Sequence, residues 1–225
     1  MSKAIGILGG MGPAATVDLM ARLIAATPVE CEADHLRLLV DCNPHVPNRN
    51  EALASTGEYP ADALVAMAQG LERQGADLLA IACNSAYAWA AEIRAGTGVP
   101  LVSMIDATVA MIPAGARRIG LLAADACLHA RLYQTPLERS GHEVLVPEDQ
   151  AGFMRLIYGV KTGHEDASAR AGMAALAQDL IDRGAEIVVA ACTEVPLLLS
   201  AADIPVPLVD STDALVRRLV AEATA

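Results

Sequence analysis

The chain has 225 residues, of which 54% are hydrophobic and 19% are charged, and this balance excludes an intrinsically disordered protein. The net charge is −11, aromatic residues make up 3%, and no basic run is present, which argues against nucleic-acid binding. No apolar stretch approaches the roughly 18 residues of a membrane span, and the first residues do not resemble a signal peptide. We therefore expect a cytoplasmic protein with no nucleic-acid or membrane partner.

The first part of the chain alternates apolar runs with segments of helical periodicity. Predicted strands cover residues 4–9, 36–42 and 78–83, and predicted helices cover residues 13–26 and 60–74. The first of these helices begins at Pro13, a residue suited to the first helical turn. A β-α-β-α-β order predicts an α/β fold, in which helices cover both faces of a parallel sheet.

The second part of the chain repeats this plan. The recurring segments, in the same order, are 3–8 and 117–122, 71–77 and 180–186, and 99–102 and 206–209. Three ordered repeats predict two pseudo-symmetric lobes, each a parallel sheet flanked by helices, with the active site in the cleft between them. The repeat also pairs Asp106 with Asp210, and we predict that each of them caps the helix that follows it.

Two of the five cysteines occupy equivalent positions in the repeat, and no pair has the C-x-x-C spacing of zinc clusters and redox motifs. Because Cys83 and Cys192 end equivalent strands, their thiols are predicted to face each other across the cleft. The neighbouring residues that offer hydrogen-bonding groups at the turns after these strands are Asn84, Ser85, Thr193 and Glu194, and the backbone N–H groups of these turns suit a substrate carboxylate. For Glu194 the alternatives are orientation of a substrate amine, orientation of a thiol, and a structural cap.

Two opposed thiols suit the inversion of a stereocentre. One group removes a proton from one face of a tetrahedral carbon, and the other returns a proton to the opposite face. Thiols with an ordinary pKa of about 8.5 share this work near neutral pH as thiolate and thiol. The reaction needs no cofactor and no metal in principle, provided that donors around the substrate carboxylate stabilise the developing carbanion.

Three motifs give the chain a resemblance to the aspartate/glutamate racemase family. They are Gly-Ile-Leu-Gly-Gly-Met-Gly-Pro-Ala-Ala-Thr at 6–16, Cys-Asn-Ser-Ala at 83–86 and Ala-Cys-Thr-Glu at 191–194. The resemblance implies cofactor-independent racemisation of an acidic amino acid, aspartate being favoured over glutamate, with Cys83 and Cys192 as the acid/base pair. It also implies a homodimer and a discontinuous first lobe of residues 1–100 and 205–225, around a second lobe of residues 101–204.

Two further stretches resemble substrate-binding segments of the family. Residues 41–49 resemble the loop whose arginine meets the distal carboxylate, and residues 157–163 resemble the segment that bears a substrate-facing lysine. The resemblance thus implies that Arg49 and Lys161 clamp a substrate carboxylate from different lobes. The glycines around Met11 are expected to let the backbone approach a small substrate, with Met11 over the cleft.

The chain departs from the family pattern near both halves of the site. Ser85 replaces a threonine and keeps the hydroxyl, whereas Tyr87 stands in place of a histidine, which leaves the tuning of the first thiol open. Residues 123–127 stand where family members tend to carry threonines, which leaves the exact substrate open. Within that segment, Cys127 is predicted to be a buried filler.

Other functions remain as alternatives. Gly10, Gly12 and Ala15 fit a loose dinucleotide-binding pattern, but Pro13 removes a phosphate-facing N–H and the pattern leaves the repeated cysteines unexplained. A cysteine-dependent cis–trans isomerase or decarboxylase of a small dicarboxylic acid would keep the fold, although decarboxylation should need only one proton donor. A non-catalytic carboxylate-binding relative is the third alternative.

Overall fold

The structure, a computed structural model, describes residues 2–225 and contains two parallel sheets. The first sheet consists of β1 (Ile5–Gly9), β2 (Leu38–Cys42) and β3 (Leu78–Ile81), in the order β2-β1-β3. The second consists of β4 (Arg118–Ala123), β5 (Glu143–Leu145), β6 (Ile187–Ala191) and β7 (Leu208–Asp210), in the order β5-β4-β6-β7. The three strands of the first sheet and the first three of the second therefore follow the same order, with β7 added at the edge of the second sheet. The two parallel sheets confirm the predicted α/β class.

Helices flank both sheets. They are α1 (Pro13–Ala26), α2 (Arg49–Leu53), α3 (Ala61–Arg73), α4 (Ala90–Gly96), α5 (Met104–Val109), α6 (Asp125–His129), α7 (Gln134–Arg139), α8 (Gln150–Lys161), α9 (Ala167–Asp182) and α10 (Ser211–Thr224). The bounds of α1 agree with the predicted helix over residues 13–26, and α3 lies within the predicted helix over residues 60–74. No helix formed by residues 2–225 combines the length and apolar character that crossing a membrane requires.

Equivalent glycines explain why the two halves repeat in sequence. A Cβ on Gly6 of β1 would lie 3.1 Å from the Cβ of Leu71 in α3, and a Cβ on Gly120 of β4 would lie 3.0 Å from the Cβ of Leu180 in α9. In each lobe the helix before the next strand, α3 or α9, therefore packs directly on the glycine of the central strand. The repeat is thus a packing requirement that both lobes share.

The third repeated segment also has equivalent hydrogen bonds in the two sheets. The N–H of Leu79 donates to the carbonyl of Pro100 at 2.8 Å, and the N–H of Val188 donates to the carbonyl of Pro207 at 3.0 Å. Leu101 consequently bridges to the edge of the first sheet, as β7 pairs with β6 in the second.

The closing segment of the chain is divided between the lobes, which differs from the prediction that residues 205–225 lie wholly in the first lobe. Strand β7 pairs with β6 of the second sheet, whereas helix α10 packs against α1 and α5. Leu101, which the prediction assigned to the second lobe, instead bridges to the first sheet. This arrangement follows from the repeat. In each lobe, the segment that follows the cysteine adds to the edge of that lobe's own sheet, as Leu101 does in the first sheet and β7 does in the second.

The caps of α5 and α10 correct one prediction. Asp210 caps α10, and its side chain accepts the N–H groups of Thr212 and Asp213. Helix α5 is capped by Ser103, whose hydroxyl accepts the N–H of Asp106 at 3.1 Å. The prediction that Asp106 acts as a cap was wrong, because Ser103 is the residue that occupies the position equivalent to Asp210.

Candidate active site

A glycine loop after β1 brings the Met11 backbone to the cleft. Gly10 has a φ of +89°, and a Cβ there would lie 2.4 Å from a backbone atom of Asn43, so only glycine fits. The hydroxyl of Thr16 accepts the N–H of Gly10 at 2.9 Å and donates to the carbonyl of Gly12 at 3.1 Å. Helix α1 therefore fixes the conformation of the loop.

The two repeated cysteines lie just beyond the carboxyl ends of equivalent strands. Cys83 follows β3 after one intervening residue, and Cys192 follows β6 directly. Each residue is 6% exposed, so both thiols are shielded from bulk solvent. In a parallel sheet, this end of the strands is the one at which ligands bind.

The ammonium of Lys161, the last residue of α8, connects the two halves of the site. It donates to the carbonyl of Met11 at 3.2 Å and lies 3.7 Å from Oε1 of Glu194. Burial lowers the pKa of Lys161, but the negative charge of Glu194 opposes this effect. The pKa of Lys161 therefore lies above its ordinary value, and the side chain is cationic at neutral pH.

Cys192 and Glu194 form a buried hydrogen-bonded pair. The Sγ of Cys192 donates to Oε2 of Glu194 at 3.0 Å, and the hydroxyl of Thr193 donates to the same oxygen at 3.3 Å. Burial raises the pKa of Cys192 well above its ordinary value, and the charge of Glu194 raises it further, while Lys161 opposes both. The thiol is therefore protonated at neutral pH, with the Glu194 carboxylate as the acceptor nearest to its proton.

Arg49 is a buried cation held by backbone carbonyls. Its Nη1 donates to the carbonyls of Val46 and Pro47 at 2.9 and 2.8 Å, and its Nη2 donates to that of Met11 at 3.2 Å. The Nε atom has no hydrogen-bond partner, and no carboxylate among residues 2–225 forms an ion pair with Arg49. A buried guanidinium without an anionic partner has the donor set that binds a carboxylate ligand.

A cavity of about 460 Å³ opens beside these cations. Its lining residues are Gly10, Met11, Gly12, Pro13, Pro44, Val46, Asn48, Arg49, Tyr158 and Lys161. At its rim the hydroxyl of Tyr158 accepts amide hydrogens of Asn48 at 3.1 Å and Asn50 at 3.0 Å. Asn50 also accepts the N–H of Ala126 at 2.9 Å, so α2 of the first lobe is bonded to α8 and α6 of the second. The two lobes are thus hydrogen-bonded to each other at the rim of the cavity.

The two residues after Cys83 are buried and have protein surroundings. The side chain of Asn84 bonds to Ser211 and Tyr133, both buried, and Ser85 begins a short 3₁₀ turn in which it is itself buried. A second group of the predicted residues lies together and is connected by hydrogen bonds and one ion pair: Met11, Arg49, Lys161, Thr193 and Glu194.

Tyr87 and Cys127 have structural surroundings. The hydroxyl of Tyr87 donates to the carbonyl of Val102 at 2.9 Å and accepts the N–H of Ile81 at 3.3 Å, which ties the end of β3 to the following segments. Cys127 is fully buried in the core, and burial raises the pKa of its thiol. Within residues 2–225, no three histidine, cysteine, aspartate or glutamate side chains are grouped to hold a metal ion.

Sequence reasoning missed four residues that join the lobes around the site: Asn50, Tyr133, Tyr158 and Ser211. Tyr158 lies within the stretch that resembles the lysine-bearing segment, so a signal for it was present. The sequence around Tyr133 gives no sign that this residue lies at the cleft, because its hydrogen-bond partner, Asn84, is 49 residues away in the chain.

Comparison with known proteins identifies the family. Residues 8–219 match the Asp/Glu/Hydantoin racemase family. The chain belongs to this family. This result confirms the resemblance drawn from the three motifs, and with it the assignment of the protein as a racemase, an isomerase.

Relatives span nearly the whole chain. The broad specificity amino-acid racemase RacX of Bacillus subtilis (strain 168) is 26% identical over 224 residues, which cover 96% of each chain. The structure of Picrophilus torridus aspartate racemase has a TM-score of 0.90 and 30% identity, covering 99% of this chain and 94% of that one. The glutamate racemase of Francisella tularensis, solved with D-glutamate, has a TM-score of 0.74 at 16% identity, over 98% and 80% of the two chains, and shares the fold.

Proposed function

We propose that this racemase inverts the α-carbon of an acidic amino acid without a cofactor, with aspartate as the favoured substrate and glutamate as the alternative. Cys83 and Cys192 are the acid/base pair in this proposal. The observation that carries it is that these two buried thiols follow equivalent strands of the two sheets, and that Glu194, which accepts the Cys192 thiol proton, lies 3.7 Å from the Lys161 ammonium. One substrate placed beside that ammonium would meet a thiol from each lobe.

The cations provide the binding site for a carboxylate. Arg49 and Lys161 both reach the carbonyl oxygen of Met11 at 3.2 Å, although they come from different lobes. A substrate carboxylate that replaces this carbonyl would engage both cations, and it would give the unpartnered Nε of Arg49 an acceptor. Because a carboxylate is charged and a carbonyl is not, this exchange favours the bound substrate.

The proposed proton transfers use one base and one protonated thiol on opposite sides of the substrate. A base on one side removes the α-proton, and a protonated thiol on the other side supplies the new one. Cys192 is protonated in the described conformation, so it is ready to donate, and Glu194 can take its proton when the reaction runs in the other direction. The positive charge of Lys161 stabilises negative charge on either sulfur and on the substrate, so both directions benefit from it.

The tight approach of the lobes supports aspartate over glutamate. A Cβ on Gly12 of the first lobe would lie 3.1 Å from Oε1 of Glu194 and 3.4 Å from Cγ of Lys161. The glycine loop is therefore in close contact with the second lobe at Gly12, on the Glu194 side of the cavity, and this contact favours the shorter dicarboxylic amino acid. The similarity to Picrophilus torridus aspartate racemase over nearly the whole chain supports the same choice.

Solvent isotope exchange tests the proposal. The purified protein is incubated in D₂O with each enantiomer of aspartate and of glutamate, with no cofactor added, and deuterium at Cα is measured by NMR together with the enantiomer ratio. We expect exchange and racemisation of aspartate from both enantiomers. Absence of exchange with all four substrates would refute the racemase proposal, and release of carbon dioxide would favour the decarboxylase.

Cysteine variants test the acid/base assignment. Cys83→Ala and Cys192→Ala should each lower turnover by at least roughly 10²–10⁴-fold, because each removes one proton-transfer group. Cys127→Ala is the matched control, since it removes a buried thiol outside the proposed machinery, and it should retain turnover. Full activity in either of the first two variants would overturn the two-base assignment.

A further inference from the structure

A chain of buried hydrogen bonds links the turn after one active-site cysteine to the strand before the other. Tyr133 donates to Oδ1 of Asn84 at 2.5 Å, and Nδ2 of Asn84 donates to Ser211 at 3.0 Å. Ser211 in turn donates to the carbonyl of Ala190 at 2.7 Å. Asn84 directly follows Cys83, and Ala190 lies in β6 just before Cys192, so the chain spans the site from thiol to thiol.

The direction of every bond in the chain is fixed by its last acceptor. A backbone carbonyl can only accept, so the Ser211 hydroxyl donates its single hydrogen to the carbonyl of Ala190. Towards Asn84 the Ser211 oxygen must therefore be the acceptor. The amide of Asn84 therefore turns its nitrogen to Ser211 and its oxygen to Tyr133. Burial raises the pKa of Tyr133, so this hydroxyl keeps its proton and donates it to Asn84.

The neighbouring hydroxyl of Thr108 does not belong to the chain. It lies 3.4 Å from the hydroxyl of Tyr133, but it donates its proton to the carbonyl of Met104 at 2.7 Å. Because the Tyr133 hydroxyl donates its hydrogen to Asn84, no hydrogen lies between the hydroxyl oxygens of Tyr133 and Thr108. Thr108 is as buried as Tyr133, which makes it a matched control for loss of a hydroxyl at this place.

We propose that Tyr133 and Ser211 are positioning residues that hold Asn84, and through it the Cys83 turn, in register with the strand that carries Cys192. The two come from different parts of the chain, and with Asn84 they set the distance and direction between the thiols. The inference rests on the proposed function for its kinetic consequence. Its structural consequence, a fixed Cys83 turn, is independent of turnover.

The first test measures the position of Cys83 without any reaction. Alkylation of Cys83 and Cys192 by iodoacetamide is followed by peptide mass spectrometry in Tyr133→Phe, Ser211→Ala and Thr108→Val. We expect Tyr133→Phe and Ser211→Ala to change the alkylation rate of Cys83 by roughly threefold or more, because the turn that carries Cys83 opens locally once these hydrogen bonds are lost. Thr108→Val should match the unaltered protein. Equal Cys83 rates in all four proteins would overturn the inference, whether or not the protein is a racemase.

The second test separates positioning from general loss of structure. Primary isotope effects on kcat/KM are measured with α-deuterated L- and D-aspartate, each in the unaltered protein and in the variants. If only the Cys83 step slows, the isotope effect should rise for the enantiomer that Cys83 deprotonates and fall for the other. We also expect kcat to fall by roughly tenfold with little change in KM. If the unaltered protein racemises aspartate and the variants show the same isotope effects as it does with both enantiomers, the positioning role is refuted.

Discussion

The ion pair between Lys161 and Glu194 gives the sharpest stability prediction. Glu194 is 2% exposed, and its Oε1 has no hydrogen-bond partner, so the ammonium of Lys161 is its main electrostatic compensation. Lys161→Met keeps the length of the side chain and removes the charge. The variant leaves a buried carboxylate without its cation, which is among the most destabilising single changes.

The magnitude follows from the geometry. At a separation of 3.7 Å and an effective dielectric constant of about 20, the attraction amounts to about 4.5 kcal/mol. The Lys161 side chain is 22% exposed, so solvent weakens this value, and we expect Lys161→Met to lower the free energy of unfolding by about 2–4 kcal/mol at neutral pH.

Urea unfolding followed by the fluorescence of the single tryptophan, Trp89, measures the change. The double variant Lys161→Met with Glu194→Gln should recover most of the loss, because it removes the uncompensated charge as well. Arg155→Met on the same helix is the control. Its partner Asp149 is exposed, so it should cost about 0.5 kcal/mol or less. A double variant as unstable as the single one would refute the reasoning.

Three further predictions concern other parts of the site. Tyr87→Phe leaves two buried backbone groups without a partner and should lower the free energy of unfolding by about 1–3 kcal/mol, while the pH profile of turnover is unchanged. Gly10→Ala should lower the free energy of unfolding by at least about 2 kcal/mol, because a positive φ and the backbone of Asn43 both oppose a side chain at this position. A Gly10→Ala variant that is as stable as the unaltered protein in urea unfolding would contradict this. Glu194→Gln should lower the pKa of the Cys192 thiol, because it removes a charge that raises it. Thiolate absorbance at 240 nm, taken as the difference from the same protein carrying Cys192→Ala, should therefore appear at lower pH, and a midpoint that moves upward would contradict the assignment.

Much of the fold could be predicted because its signals are local or periodic. The glycine of each central strand, the helix before the next strand and the cysteine after it recur at fixed spacing, and the structure shows that Gly6 and Gly120 meet the same kind of neighbour. Apolar periodicity gave α1 and α3 to within one residue at each end. The cysteines and the two cations could be found because the motifs that surround them are short stretches of contiguous sequence.

The errors in the sequence predictions arose where the repeat was aligned by residue type. Aspartates at 106 and 210 suggested paired caps, but the hydroxyl of Ser103 occupies the capping position because its spacing from the preceding strand segment matches that of Asp210. The prediction also gave residues 205–225 to one lobe as a block. Hydrogen bonding divides the block, since β7 completes the second sheet before α10 crosses to the first lobe.

The amino-acid sequence by itself predicts two repeated α/β units and a cysteine after an equivalent strand in each, because these features depend on spacing within a few tens of residues. Packing of the lobes decides the rest. Asn84 and Ser211 are 127 positions apart, and Arg49 and Lys161 contact the same carbonyl of Met11 although they come from different lobes. Such contacts leave no periodic trace in the chain, since each depends on how two separately formed sheets are oriented against each other.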